Sequence, residues 1–159
     1  MANPKRVMDD VFDFDTQLCI GNDGEQAFLK RYAYLQPKKS SDRRYDFVLK
    51  DGKTIELKTD TYEMSRTPNF FMEIFGSVDD QKLGGPWRAL HDGVTFFVYY
   101  FVKDGIFFWF ETESLCKALD ALIASGNHSP KSIQNKGWVA RGYTIPRKLL
   151  EHILLKQES

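Results

Sequence analysis

The stretch Asp46-Phe-Val-Leu-Lys-Asp-Gly-Lys-Thr-Ile-Glu-Leu-Lys58 holds two short strand-like segments around an Asp-Gly pair. Asp-Gly between apolar-rich runs is a strong hairpin signal, so residues 45–50 and 53–59 are predicted to pair as strands. In the second segment Glu56 and Lys58 alternate with Ile55 and Leu57. Acid and base therefore share one face of the strand, and the aliphatic side chains take the other. Register governs where Asp46 goes. A two-residue loop at Asp51-Gly52 pairs Asp46 with Leu57 and leaves it on the face opposite Glu56. A three-residue loop, with Gly52 as the left-handed bulge residue, pairs Asp46 with Glu56 and brings both carboxylates and Lys58 to one side. The bulged loop, or an equivalent bend at Asp46, is the expectation.

Upstream, residues 21–34 (GNDGEQAFLKRYAY) read as a helix. Asn22 or Asp23 can cap it, and Phe28, Leu29 and Tyr32 form its apolar stripe. Glu25 falls on that stripe, so it is either a first-turn acid favoured by the helix dipole or a group aimed at the interior. Downstream, residues 70–75 (FFMEIF) form a third strand after Pro68-Asn69, and Gly84-Gly85-Pro86 leads into a short helical piece around Trp87–Leu90. Residues 94–103 and 106–111 form an aromatic hairpin turned by Asp104-Gly105. Thr112 caps a helix that carries Leu115, Leu119 and Leu122 and ends near Gly126. A polar loop, a strand near Trp138–Ile145 and a last helix opened by Pro146, with Leu149, Leu150, Ile153 and Leu154 inward, complete the chain. This order predicts an α/β (α+β) domain with a central mixed sheet flanked by helices. It is one domain over residues 1–159, with a core at about 20–111 and a C-terminal strand and helices at 112–159.

The composition agrees. A chain of 159 residues suits one domain with a real core. Its 13 Phe, many in alternating runs, favour a sheet, and base stacking by those runs is far less expected than core packing. No apolar stretch is long enough to span a bilayer. The basic N-terminal segment has no apolar signal region behind it, so no membrane association and a cytoplasmic, intracellular location are expected. Cys19 and Cys116 read as buried free thiols, and the three scattered His give no zinc spacing. Ser40 and Ser41 lack an evident His or Asp partner for serine-type catalysis. Net charge is zero, so any nucleic-acid contact must come from local basic clusters. Lys38, Lys39, Arg43 and Arg44, just before Asp46, form the cluster best placed for phosphate contact. Lys131, Lys136, Arg141, Arg147 and Lys148 form a second. Trp87 reads as packed, beside a solvated Arg88.

An acid, any residue, then Lys occurs at Asp51/Lys53, Glu56/Lys58 and Asp80/Lys82. Asp51 falls in a turn and Asp80 in a polar loop, so Glu56/Lys58 is the informative pair. Adjacent carboxylates repel, and burying them is costly unless a cation neutralises them. Lys58 supplies one positive charge, and Glu25 adds a third negative one. A hard divalent ion such as magnesium, held by one or two carboxylates and completed by water and phosphate oxygens, resolves the conflict. The competing reading is a solvated cross-strand cluster contributing a few tenths to about 1 kcal/mol.

The segments Arg44-Tyr45-Asp46 and Glu56-Leu57-Lys58, with Gly24-Glu25-Gln26-Ala27 before them, resemble the PD-(D/E)xK nuclease superfamily. The spacing is similar to that of small phage or archaeal junction-resolving (Holliday junction) endonucleases. Tyr45 stands where the pattern usually has Pro. The resemblance covers roughly residues 20–111 and implies a restriction-endonuclease-like fold. It implies magnesium-dependent hydrolysis of DNA phosphodiesters, with manganese able to substitute, on structured, branched or single-stranded DNA. Glu25, Asp46, Glu56 and Lys58 are the catalytic set it implies; Asp46, Glu56, Glu25 and the Leu57 carbonyl are its metal ligands. Residues 69–73 resemble the third core strand of such enzymes, with Glu73 as a supporting acid. If the chain is phage-encoded, the host cytoplasm is its expected location. Alternatives are a sequence-specific restriction-type endonuclease and a catalytically inactive DNA-binding module. The sequence leaves open whether two copies pair as a homodimer.

Overall fold

The computed structural model describes residues 14–77, 81–135 and 137–159. The basic N-terminal segment, Asp80 and Lys136 lie outside the described residues. The Asp46–Lys58 hairpin takes the bulged register. Phe47 pairs with Ile55 and Val48 with Thr54, and the Leu49 N–H donates to the Lys53 carbonyl at 2.8 Å. Lys50, Asp51 and Gly52 are left as the loop, with Gly52 at φ +87°, a conformation that glycine adopts without steric cost. The paired strands are β2 (Phe47–Val48) and β3 (Thr54–Asp60). β2 is shorter than expected because the chain bends at Asp46, whose N–H donates to the same Ile55 carbonyl that faces the Phe47 position.

These strands belong to a mixed six-stranded sheet. With β1 (Lys38–Lys39), β6 (Phe96–Phe101), β7 (Ile106–Glu111) and β10 (Lys156–Glu158), the order is β1-β2-β3-β6-β7-β10. β3 and β6 run parallel, and the other neighbours are antiparallel. A second, antiparallel sheet contains β4 (Asn69–Ser77), β5 (Lys82–Leu83), β8 (Lys131–Asn135) and β9 (Trp138–Pro146), ordered β5-β4-β9-β8.

Helix α1 (Phe14–Arg31) covers one face of the large sheet. There Phe28 and Tyr32 are fully buried against Phe47, Ile55, Val98, Phe107 and Trp109. The other face packs on the second sheet and on α3 (Thr112–Ala124), through Phe70 and Met72 of β4, Phe97, Tyr99 and Phe101 of β6, Ile145 of β9, and Leu115 and Leu119. A short helix, α2 (Gly85–His91), sits against β4. Among the described residues no helix is long and apolar enough to cross a membrane.

The expected mixed α/β architecture with a central mixed sheet is present, and several elements differ from expectation. Residues 69–77 form a strand but do not extend the hairpin's sheet. β3 already has β2 on one edge and β6 on the other, so β4 pairs instead with β9. Asn22 and Asp23 lie inside α1 rather than capping it. Gly24 sets how closely that helix packs: a Cβ at that position would come within 1.9 Å of Thr59 Oγ1, so its absence lets α1 approach β3. Thr112 is the first residue of α3, whose N-terminus it does not cap. The predicted polar loop contains β8, whose Lys-Ser-Ile-Gln-Asn sequence has no apolar alternation and is a strand through its ladder with β9. The last helix is a 3-10 segment, Arg147–Ile153, with Leu150 fully buried, and the chain ends in β10 on the edge of β7. Cys116 is buried, but Cys19 is exposed.

Candidate functional site

Alternation along β3 turns Ile55 and Leu57 toward α1, and Glu56 and Lys58 toward the second sheet. Asp46 stands one step past the Phe47–Ile55 pair, beside Glu56. Its Oδ2 accepts the Leu57 N–H at 2.8 Å, and its backbone carbonyl accepts the Ser40 N–H at 2.8 Å. The side chain is thus held at the end of β2, against β3. N–H and C=O of one strand residue point the same way, so the Leu57 carbonyl also faces this side, past the end of β2 and away from β6.

Burial dominates the electrostatics. It pushes the Asp46 carboxyl up to about 6, with Glu25 adding repulsion while the Leu57 hydrogen bond, Arg88 and Lys39 oppose the rise. Burial, then repulsion by Asp46, pushes Glu56 up to about 8; Arg88 works against this, and Asp92 and Glu25 add to it. Glu73 is also raised by burial, with Lys58 and Arg88 opposing. Three partly buried acids, Asp46 just before β2, Glu56 on β3 and Glu73 on β4, therefore face a small set of cations, and the carboxylates are short of positive charge.

The sequence-predicted residues are gathered to different degrees. Asp46 and Glu56 are neighbours, Lys58 lies two residues along the same face, and Glu73 of the second sheet lines the same cleft as Lys58 and feels its charge. The β4 backbone around it has a register irregularity between Glu73 and Phe75 and two close backbone approaches. A Cβ at Gly85 would meet the Glu73 carbonyl at 2.3 Å, and one at Gly142 would lie 2.8 Å from the Glu73 Cα. Glu25 comes from α1, on the other face of the sheet, and its Oε2 is 2.7 Å from Lys39 Nζ. It repels Asp46 but is already paired.

Among the basic residues, Arg44 is tied to Asp42, with Nη2 to Oδ2 at 2.6 Å, and Lys39 to Glu25. Lys38 and Arg43 are exposed.

Arg88 is the residue that the sequence reading set aside. It is exposed, and its position beside the acids comes from α2. Its Nη2 donates to the Arg43 carbonyl at 2.7 Å, and its Nε lies 3.5 Å from Asp92. The available signal was Gly84-Gly85-Pro86: Gly85 has φ +52° and lets α2 start directly against β4. Trp87 is packed as expected, and its Nε1 donates to Asp120 at 2.9 Å.

Two partly buried, mutually repelling carboxylates form an oxygen donor set that suits a hard divalent ion, since magnesium takes one or two protein carboxylates. Among the described residues no group of three or more His, Cys, Asp or Glu side chains is arranged to hold a metal. Asp46 and Glu56 repel one another, and Glu25 adds to that repulsion from its ion pair with Lys39. Comparison with known proteins gives no match: no family model, no curated protein and no solved structure aligns significantly with the chain.

Proposed function

We propose that the chain is a metal-dependent endonuclease that hydrolyses DNA phosphodiester bonds, with a restriction-endonuclease-like site on the β2–β3 hairpin. One observation carries the reading: Asp46 and Glu56 stand side by side, short of positive charge, with Lys58 on the same face. Asp46, Glu56 and the Leu57 carbonyl are the groups that hold magnesium or manganese in this reading. A bound divalent ion supplies Lewis-acid polarisation of the phosphodiester and lowers the pKa of a coordinated water.

The chain's own groups do the rest. Lys58 Nζ donates to the attacking water or to a phosphate oxygen and offsets charge that grows in the transition state. Arg88 lowers the cost of ionising Asp46 and Glu56. Lys38 and Arg43 hold the DNA backbone, which makes binding salt-dependent. The cytoplasm is the proposed setting.

The test is incubation of pure protein with branched, duplex and single-stranded DNA, with magnesium, with manganese and with chelator. Cleavage that depends on the ion and vanishes in Lys58→Ala supports the reading; cleavage that persists in chelator rejects it. A second reading, a DNA-binding module without turnover, is favoured by the Lys39–Glu25 ion pair, which occupies the helix acid. Tight DNA binding with no cutting under either metal selects it.

A further inference from the structure

A cleft of about 640 Å³ opens between α1, the C-terminal half of β3 and the second sheet. Lys58 and Glu73 line it and Asp46 and Glu56 do not, so it adjoins the candidate site at Lys58. Phe71, Trp138 and Tyr62, the last 61% exposed, are aromatic residues among its lining. Gln134 of β8 also lines it. The volume suits one small organic group, for which pockets run to roughly 300–1,000 Å³. It does not admit a base that stays stacked inside a duplex.

The charge pattern narrows the occupant. Among the described residues Lys58 is the one Lys or Arg that lines the cleft, against the acids Asp60 and Glu73. Asp60 is already engaged by the Tyr99 hydroxyl, which donates to it, and by the Tyr62 N–H at 2.8 Å. A phosphate therefore finds little in the interior to bind, whereas a neutral, flat group finds aromatic side chains. A nucleobase is such a group, and base–aromatic stacking is tolerant of sequence. Lys58 lines the cleft and shares the β3 face of Glu56, so it stands between the cleft and the acids.

We propose that this cleft receives an unpaired nucleobase next to the scissile phosphate, so that the substrate class is DNA with unpaired or unstacked nucleotides. The inference rests on the nuclease reading for its scissile phosphate. The recognition step is separable: the cleft selects an extruded or single-stranded base, whatever chemistry follows.

The experiment measures affinity in chelator, with the full chain, for three probes of equal length: an oligothymidylate, its abasic sugar-phosphate counterpart and a blunt duplex. The oligothymidylate is expected to bind roughly tenfold or more tightly than the other two, the factor that one base–aromatic stack supplies. Ser132→Trp, at an exposed position that lines the cleft, is expected to abolish that preference while duplex binding stays the same. Tyr62→Ala, at an exposed position, is a second variant should the first fail to fold by circular dichroism. Equal affinity for the three probes, no detectable binding, or a preference that survives in every folded variant overturns the proposal. Because no metal is present, a chain that prefers unpaired bases yet never cuts keeps the cleft and loses the nuclease. One that cuts with magnesium and shows no preference does the reverse.

Discussion

The Asp46 carboxylate accepts the Leu57 N–H at 2.8 Å, a side-chain bond in the place where the β2–β3 ladder would otherwise continue. This bond fixes Asp46 against β3 beside Glu56, and it opposes part of the burial cost of the charge. The site's behaviour follows from how incompletely that cost is met.

Stability without metal should fall as pH rises. Asp46 and Glu56 have folded-state values raised to about 6 and about 8, so the folded chain binds more protons than the unfolded one. Their favourable contribution is complete below the ordinary carboxylate range and is lost as pH climbs from that range to about 6 for Asp46 and to about 8 for Glu56. Thermal melts in chelator should show Tm declining over that window. Glu56→Gln should flatten the decline and stabilise the chain at pH 8, on the order of 1–3 kcal/mol. Magnesium should raise Tm more at pH 8 than at pH 5. A Tm that does not vary with pH in chelator contradicts the assigned burial.

The two helix glycines should respond with opposite signs. A Cβ at Gly21 meets nothing within 4 Å, so Gly21→Ala should stabilise by about 0.5–1 kcal/mol through helix propensity. At Gly24 the Cβ meets Thr59 Oγ1 at 1.9 Å. Gly24→Ala should destabilise by roughly 1–3 kcal/mol through overpacking and move Glu25 away from Asp46. Chemical denaturation of the two variants checks this.

Under the proposed chemistry, Asp46→Asn, Glu56→Gln and Lys58→Ala should each lower the cleavage rate by roughly a hundredfold or more, with DNA affinity largely kept. Glu25→Gln should cost much less, because Lys39 already neutralises it. Single-turnover rates on one labelled substrate rank the four. A Glu25 effect as large as that of Glu56 would restore the acid on α1 to full membership of the site.

Arg88→Met should raise the Glu56 pKa further, since Arg88 opposes that rise. The pH profile of cleavage should shift to the alkaline side while the fold is unchanged, and carboxyl titration by NMR should show the same direction. An unshifted profile would leave Arg88 as a surface cation.

DNA binding should lose about one unit of salt slope for each of Lys38→Ala and Arg43→Ala. Arg44→Ala should change it less, because Asp42 holds that guanidinium. Affinity measured across a salt series discriminates between them.

Both hairpins were legible from residues 45–59 and 94–111 because turn chemistry and two-residue alternation act within a few positions. Asp51-Gly52 and Asp104-Gly105 demand positive φ at glycine, and the bulged register then places Asp46 with Glu56. Tertiary structure alone assigned β4 to the second sheet, since β3 has its hairpin partner β2 on one edge and the sequence-distant β6 on the other. It alone made strands of β8 and β10, whose residues carry little strand pattern and are ordered by the ladders they join. It also brought Arg88 to the acids and Lys39 to Glu25. Local sequence sets the conformation of a turn, whereas the neighbour that a charge meets depends on how separate elements pack.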